Sequence, residues 1–191
     1  HTTKCKINPC FTEFKKIDSD TVATRLQGAG YKTALVGKYL NGYAAKLSTT
    51  TPYVPPGWSR WVAFGEGNNY SDYDLVIDGA IVHETTYSTD RLADEAVSFI
   101  EVAGEQPLFL YFTPYAPHDP AKPSPLDPKD AFSDFSPWRP PSYNETDVSD
   151  KPSWVQALPL LTSDEQTNGD NFHKRQLRSL LAVDRAIKRM V

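Results

Sequence analysis

The chain has 191 residues, of which 39% are hydrophobic and 23% are charged, and its formal net charge is -4 at pH 7. These values are typical of one soluble globular domain with a hydrophobic core, and the negative charge argues against nucleic-acid binding. No stretch approaches the roughly 20 apolar residues that a membrane-spanning helix needs, so we predict no membrane span.

The first residues are polar and contain both cysteines, Cys5 and Cys10. Their spacing fits neither a CxxC pair nor a complete zinc site, which leaves a small-loop disulfide or two unpaired thiols as alternatives. Asn69 and Asn144 each begin a triplet that matches the N-glycosylation pattern. These features favour an exported protein, whether secreted, periplasmic or lysosomal. Because the first residue is His1 rather than Met, we expect that the beginning of the protein is missing or processed.

The first regular elements are predicted to be a helix and a buried strand joined by a very short turn. Asp18 or Ser19 can cap a helix that runs to about Ala29. The apolar and β-branched run Thr33–Val36 is too short for a stable helix and predicts a buried strand. The helix residues expected to face inward are Val22, Leu26 and Ala29.

Lys38 follows the Thr33–Val36 strand and is accompanied by Tyr39, Asn41 and Tyr43. In open α/β sheets, ligands bind in the crevice beyond the carboxyl ends of the strands. A cation at this position indicates part of an anion or sugar site. The alternative is a solvated lysine at the start of a polar loop.

The middle of the chain is predicted to contain a loop, a hairpin and a helix. Prolines and a glycine indicate a loop from Lys46 to Trp61. The dipeptide Asp78-Gly79 between two apolar runs predicts a tight hairpin, in which His83 is an exposed strand residue rather than a ligand. Ser88 is predicted to cap a helix over Thr89–Val102.

A second buried strand is followed by a constrained histidine. The run Leu108–Phe112 is apolar on both faces, as expected for a central parallel strand. His118 comes shortly after it, and Pro117 and Pro120 restrict the backbone on both sides. Because the carboxyl ends of parallel strands meet at one edge of a sheet, we expect Lys38 and His118 to share a pocket.

The last part of the chain is predicted to be a long loop followed by a helix. Residues 121–163 are rich in proline and aspartate, and Trp138, Tyr143 and Trp154 indicate ordered cover rather than a flexible linker. A helix is predicted to begin at Asp170 or Asn171, with its basic residues on a solvated face. Its predicted inward residues are Leu177, Leu180, Leu181, Ile187 and Val191.

Several motifs, in their order along the chain, resemble those of the type I sulfatases. They are Gly-Tyr-Lys-Thr-Ala-Leu-Val-Gly-Lys-Tyr-Leu-Asn at 30–41, Pro-Pro-Gly-Trp at 55–58, Ala-Pro-His-Asp-Pro at 116–120 and Ser-Leu-Leu-Ala-Val-Asp at 179–184. The resemblance extends from about His1 to Val191. The nearest branch is the arylsulfatase and N-acetylglucosamine-6-sulfatase group.

The resemblance implies an alkaline-phosphatase-like, three-layer α/β fold with parallel central strands, and an enzyme that hydrolyses sulfate esters. In this family a formylglycine, made from the cysteine of a Cys-x-Pro-Ser-Arg motif, is the nucleophile and works beside a calcium ion. By resemblance, Lys38 and His118 are catalytic residues, and Lys38, Asn41 and His118 bind the substrate. The implied partner is a sulfated small molecule or a sulfated glycan.

The sequence departs from the family pattern in two places. Leu40 stands where many sulfatases carry a histidine, and Asn41 is suggested as its substitute. Neither Cys5 nor Cys10 begins a Cys-x-Pro-Ser-Arg motif, and no metal ligands are assigned. Residues 1–191 are therefore predicted to be an internal segment of one sulfatase catalytic domain, without its nucleophile region and its C-terminal part. The formylglycine and the calcium ligands would then lie outside this chain.

Two alternatives to a sulfuric ester hydrolase remain at this stage. The first is a phosphomonoester or phosphonate hydrolase of the same superfamily. The second is a non-enzymatic glycan-binding module whose aromatic loops hold sugar without chemistry.

Overall fold

The computed structural model describes residues 14–43, 52–65 and 70–191. Cys5, Cys10 and Asn69 lie outside these residues, so their predicted roles stay predictions. None of the helices in the described part combines the length and the apolar character that a membrane crossing needs. In chain order the elements are α1 (Val22–Gly28), β1 (Lys32–Gly37), β2 (Arg60–Phe64), β3 (Tyr73–Ile77), β4 (Ala80–Glu84), α2 (Ser88–Ala103), β5 (Leu108–Thr113), α3 (Ser153–Gln156) and α4 (Ser163–Met190).

The strands form one mixed sheet in the order β4-β3-β2-β1-β5. β1 runs parallel to both β2 and β5, whereas β2, β3 and β4 pair antiparallel. α2 contacts β1, β2 and β5, and α4 in turn contacts α2. α1 contacts β1, and its Ala23 lines a cavity together with Leu35 of that strand. The α/β class with parallel central strands is thus confirmed.

Successive residues of β1 supply two separate cores, because side chains of a strand alternate between its faces. Ala34 and Val36 pack in the core that holds Leu92 and Phe99 of α2. Leu35 packs in the other core, beside the buried Trp61. Both faces of the sheet are therefore covered around β1, as its unbroken apolar sequence predicts.

β2 is a strand that the sequence analysis missed, because it placed residues up to Trp61 in a loop. Arg60–Phe64 pairs with β1, and Trp61, Val62 and Ala63 are fully buried. The prolines and glycine that indicated a loop all precede Trp58. The loop prediction for 52–57 fits the structure, but its end was placed too late.

The hairpin formed by β3 and β4 is confirmed, with Asp78 and Gly79 at its turn, both at positive φ. His83 is exposed on β4, as predicted. Its ring nitrogens lie 3.2 Å from Asp72 and 3.0 Å from Asp74. His83 therefore takes part in a surface ion cluster.

The predicted first residues of the helices were wrong in three cases. Thr21, rather than Asp18 or Ser19, caps α1, because its hydroxyl accepts a hydrogen bond from the Thr24 backbone N–H. α2 has no side-chain cap and begins at Ser88 itself. α4 begins at Ser163, since Thr162 and Glu165 form a capping box.

The predicted inward faces of α1 and α4 were also wrong. Ala23 is the buried residue of α1, whereas Val22 is 60% exposed. On α4 the buried residues are Ser179, Ala182 and Ala186. Small side chains allow a helix to lie close to its neighbour, so this stripe rather than the leucines faces α2. The predicted inward residues Leu180, Ile187 and Val191 are exposed.

β5 lies at an edge of the sheet that the described residues form. Its expected parallel pairing with β1 is confirmed, but the central position belongs to β1. Tyr111 of β5 is 52% exposed, and Phe109 stacks on Trp58 at 6.1 Å between ring centroids. Apolar residues on both faces of a strand report what covers those faces, and they do not report how many strands lie beside it.

Residues 121–162 form turns and the short helix α3. Trp138 and Trp154 are 74% and 69% exposed, so the prediction that they cover the core was wrong. Asn144 closes this segment, because its Nδ2 donates to Leu161 O at 3.1 Å and its Oδ1 accepts from Leu161 N at 2.7 Å. The carboxamide of this glycosylation triplet therefore has a structural partner.

Candidate functional site

The parallel pairing of β1 and β5 brings the chain segments after both strands together. Gly37 is opposite Thr113 at the last position of the ladder. The Lys38 backbone N–H then donates to Thr113 O at 2.7 Å, and Thr113 Oγ1 donates to Lys38 O at 2.9 Å. Lys38 is thereby fixed at the edge of the sheet from which the His118 loop also leaves.

Gly37 makes this close approach possible. Its φ is +129°, and a Cβ at this position would lie 2.0 Å from Thr113 O. Any larger residue would separate the ends of β1 and β5, because real Cβ atoms do not approach a carbonyl oxygen so closely. The glycine before Lys38 is thus a requirement of the site's backbone.

The three predicted site residues line one pocket of about 390 Å³, which is completed by Pro114 and Tyr115. The expectation that Lys38 and His118 lie at the same edge of the sheet is therefore confirmed. The roles of Lys38, Asn41 and His118 in binding and catalysis stay predictions. Tyr115 is a lining residue that the sequence analysis did not single out, although it lies within the same proline-rich loop.

Lys38 is a half-buried cation. Burial lowers the pKa of Lys38, because removal from water disfavours the charged ammonium. Among the residues that the structure describes, no carboxylate forms an ion pair with it. Its charge is thus available for an anion in the pocket.

His118 is held through its backbone and one ring nitrogen. Its N–H donates to Tyr115 O at 2.9 Å, and the Tyr70 hydroxyl donates to His118 O at 2.6 Å. Nδ1 lies 2.9 Å from Asp119 O, and a carbonyl oxygen can only accept, so Nδ1 carries a proton in this contact. Nε2 is then a proton acceptor in the neutral imidazole and a donor in the imidazolium.

The ring of His118 is also oriented by stacking on Tyr115, with 4.8 Å between ring centroids. Tyr115 in turn contacts Tyr70 edge to face at 5.3 Å. Tyr70 is buried in a cluster with Ala182 of α4. The position of the imidazole therefore depends on α4, which lies far away in the sequence.

Asn41 reaches the pocket because the residues around it are anchored on the opposite core. Tyr39 packs edge to face on Trp61 at 4.9 Å. Trp61 Nε1 donates to the Tyr43 hydroxyl at 2.9 Å, and that hydroxyl donates to Tyr53 O at 2.7 Å. Tyr39 and Tyr43 thus support the segment, and they do not line the pocket as the sequence analysis suggested.

A second cavity, of about 370 Å³, lies on the other face of β1 and is lined mainly by apolar side chains, including Leu35, Trp58 and Phe109. Asp18 is the one charged residue among its lining residues in the described part of the chain. It offers no cation to an anionic ligand, so it does not compete with the Lys38 pocket as the sulfate site.

The described residues do not fit the calcium ion that the family resemblance implies. No group of three or more histidine, cysteine, aspartate or glutamate side chains in this part of the chain is arranged to hold a metal ion. This agrees with the expectation that no metal ligands can be assigned here. The formylglycine motif is likewise missing from the sequence.

Comparison with known proteins gives a consistent result. The family model described as Sulfatase matches residues 3–191. An arylsulfatase of Volvox carteri is 32% identical over 92% of this chain and 30% of its own length. The N-acetylglucosamine-6-sulfatase of Homo sapiens is 32% identical over 85% of this chain and 30% of its own length. This chain thus spans about 30% of the length of these curated relatives.

A solved structure of a protein in complex with its substrate D-glucosamine-2-N,6-O-disulfate has the same fold. The TM-score is 0.55 at 21% identity, and the match covers 90% of this chain and 45% of that chain. The family match over nearly the whole chain, together with this fold, shows that the chain belongs to the sulfatase family.

Proposed function

We propose that the intact protein is a sulfuric ester hydrolase and that this chain supplies part of its sulfate-binding pocket. The observation that carries the proposal is the convergence of Lys38, Asn41 and His118 on one pocket at the carboxyl ends of β1 and β5. Residues 1–191 are proposed to be an internal segment of a single catalytic domain. In support, the chain covers 30% of the length of each of two curated relatives.

Each of the three side chains has a distinct chemical role in this proposal. The Lys38 ammonium binds sulfate oxygens as a compact positive charge in a partly desolvated site, where electrostatic attraction is strong. The Asn41 carboxamide donates a hydrogen bond to the substrate. His118, when protonated, donates from Nε2 to the ester oxygen that gains negative charge as the S–O bond breaks.

Two groups of the family mechanism are proposed to lie outside this chain. The formylglycine nucleophile and the calcium ligands would come from other parts of the intact protein, since the described residues form no metal site. The described chain would then bind the sulfate and protonate the leaving group, without supplying the attacking atom.

The proposed substrates are sulfate esters of small molecules or of glycans. The relatives named as an arylsulfatase and an N-acetylglucosamine-6-sulfatase support this range. We also propose that the protein is exported, on the basis of its two N-glycosylation triplets and its closely spaced cysteines.

Substitutions in the intact protein test the proposed pocket. Lys38→Ala and His118→Ala are each expected to lower kcat/KM for an aryl sulfate about 100-fold, because each removes charge stabilisation in the transition state. Lys129→Ala, at an exposed lysine of the following loop, is the matched control and should retain full activity. Activity of Lys38→Ala equal to that of the control would contradict the proposal.

Paired substrates separate a sulfatase from a phosphatase. Rates on an aryl sulfate and on the corresponding aryl phosphate, measured with the same intact protein, should favour the sulfate. A preference for the phosphate would support the alternative of a phosphomonoester hydrolase on the same fold.

A further inference from the structure

The first half of α4 carries a group of cations that stands beside the Lys38–His118 pocket. Lys174, Arg175 and Arg178 lie three or four residues apart, so they share one side of the helix. The sequence analysis assigned them only to a solvated face. Their contacts place them against the loop that holds His118.

Three hydrogen bonds define this placement. Arg175 Nε donates to Pro120 O at 3.4 Å, and Gln176 Nε2 donates to Pro117 O at 3.4 Å. The two carbonyl groups thus flank His118 and Asp119 in sequence. Lys174 Nζ donates to Ser133 O at 3.3 Å, farther along the same loop.

None of the three cations forms an ion pair with a carboxylate of the described residues. The contrast with other arginines in this region is clear, because Arg185 pairs with Asp90 at 2.7 Å and Arg189 pairs with Asp94 at 2.7 Å.

Arg178 adds a second observation. Its Nε is buried and has no hydrogen-bond partner in the described part of the chain. A buried donor without a partner is costly, and it is unusual at a position where carboxylates are common elsewhere on the helix. Arg175 and Lys174 bond only to carbonyl oxygens through the atoms named above, so most of their donors remain for a ligand.

Carboxylates near this group are few. Asp170 is paired with Arg139 at 2.6 Å, which neutralises it. Asp119 is exposed and forms no ion pair within the described residues, and it is the one negative charge next to His118 in the loop. The balance of charge on this surface remains positive.

We propose that Lys174, Arg175 and Arg178 form a second anion-binding surface, which takes a further sulfate or carboxylate group of a saccharide whose scissile sulfate lies in the Lys38–His118 pocket. The inference rests on the proposed function for the identity of that pocket. It narrows the substrate class to saccharides with at least two anionic groups. A small aryl sulfate, with one anionic group, would leave this surface empty.

Charge removal on α4 of the intact protein tests the proposal. The double variant Arg175→Gln/Arg178→Gln is compared with Lys188→Gln/Arg189→Gln, which removes the same charge from exposed positions farther along the same helix. The probes are a heparin-derived tetrasaccharide and 4-nitrophenyl sulfate. Binding is measured by titration calorimetry and hydrolysis by product release.

We expect the first double variant to bind the tetrasaccharide about tenfold more weakly, since two charge contacts are lost. The second double variant should stay within twofold of the unsubstituted protein. The kcat/KM for 4-nitrophenyl sulfate should change less than twofold in both. Binding of the tetrasaccharide should also weaken as salt concentration rises.

The outcomes distinguish this inference from the proposed function. Absence of hydrolysis of both esters, with the expected difference in tetrasaccharide binding, would reject the sulfatase activity and retain the second anion surface. Equal binding by the two double variants, or no binding by the unsubstituted protein, would overturn the second surface whatever the activity. Should the first variant fold poorly, the salt dependence of the unsubstituted protein and the charge-retaining Arg175→Lys/Arg178→Lys variant give the same decision.

Discussion

Lys38 combines a positive charge with partial burial, and these two properties oppose each other. Burial lowers the pKa of Lys38, so the folded chain releases this proton at a lower pH than the unfolded chain does. Between the two pKa values the unfolded chain binds more protons, and the stability contribution of this group therefore rises with pH. An anion in the pocket should reverse the effect by stabilising the ammonium.

We therefore expect sodium sulfate to raise the pKa of Lys38. The measurement is an NMR titration of the lysine side chains, with the Lys38 signal assigned from its loss in Lys38→Arg. Sodium chloride at the same ionic strength is the control, because it screens charges without filling the pocket as sulfate does. An identical pKa in both salts would show that the pocket does not bind sulfate in this chain.

Gly37 is the residue whose replacement should harm the site most directly. We expect Gly37→Ala to destabilise the fold by about 3 kcal/mol, because the added Cβ meets Thr113 O and the φ of +129° strains any L-residue. Gly28→Ala is the matched control, since no atom lies within 4 Å of its added Cβ. Urea unfolding monitored by circular dichroism measures both. Similar stability of the two variants would contradict the close approach of β1 and β5.

At the scale of elements, a buried ion cluster joins α2 to the sheet. Glu95 of α2 accepts from Arg60 of β2 at 2.5 Å and from Arg91 at 2.7 Å. Burial acts to raise the pKa of Glu95, but the bonds from the two arginines outweigh it, and the pKa of Glu95 is lowered. Arg60 also pairs with Asp78 at the hairpin turn. One carboxylate thus connects the helix, the sheet and the hairpin.

Glu95→Gln is expected to cost about 2 kcal/mol of unfolding free energy at pH 7, less than for a wholly isolated buried charge, because both arginines keep another acidic partner. The folded pKa of Glu95 is lowered, so its contribution is present above the ordinary glutamate pKa and is lost as pH falls through the folded value. The difference between variant and unsubstituted protein should therefore shrink towards acid pH. Glu101→Gln, exposed on the same helix, should change stability by less than about 0.5 kcal/mol. A pH-independent difference would contradict this account.

At the scale of the whole molecule, the chain contains a pocket but no described metal site. We expect the purified 191-residue chain, supplied with calcium and an aryl sulfate, to release no phenol. Its sequence lacks the Cys-x-Pro-Ser-Arg motif that supplies the nucleophile in the family it belongs to. The measurement is phenol release over time, with the intact protein as the positive control. Sustained turnover by the 191-residue chain would show that it contains its own nucleophile.

Local patterns in the sequence determined β1, β5, the hairpin and the position of the two site residues. Thr33–Val36 is apolar throughout, and Asp78-Gly79 suits a tight turn, so neighbouring residues alone specify these elements. Lys38 and His118 were placed together by a general rule, that the carboxyl ends of parallel strands meet at one edge. No knowledge of long-range contacts was needed for that prediction.

Tertiary structure alone decided which residues face inward on α4 and how the site is supported. Ser179, Ala182 and Ala186 are buried because α4 lies against α2, and hydrophobicity along the helix favoured its leucines instead. The Tyr70 hydroxyl reaches His118 O across 48 positions of sequence. Such contacts depend on how elements pack, and the sequence of one element does not contain that information. The cations of α4 likewise became candidates for binding only once their position beside the His118 loop was known.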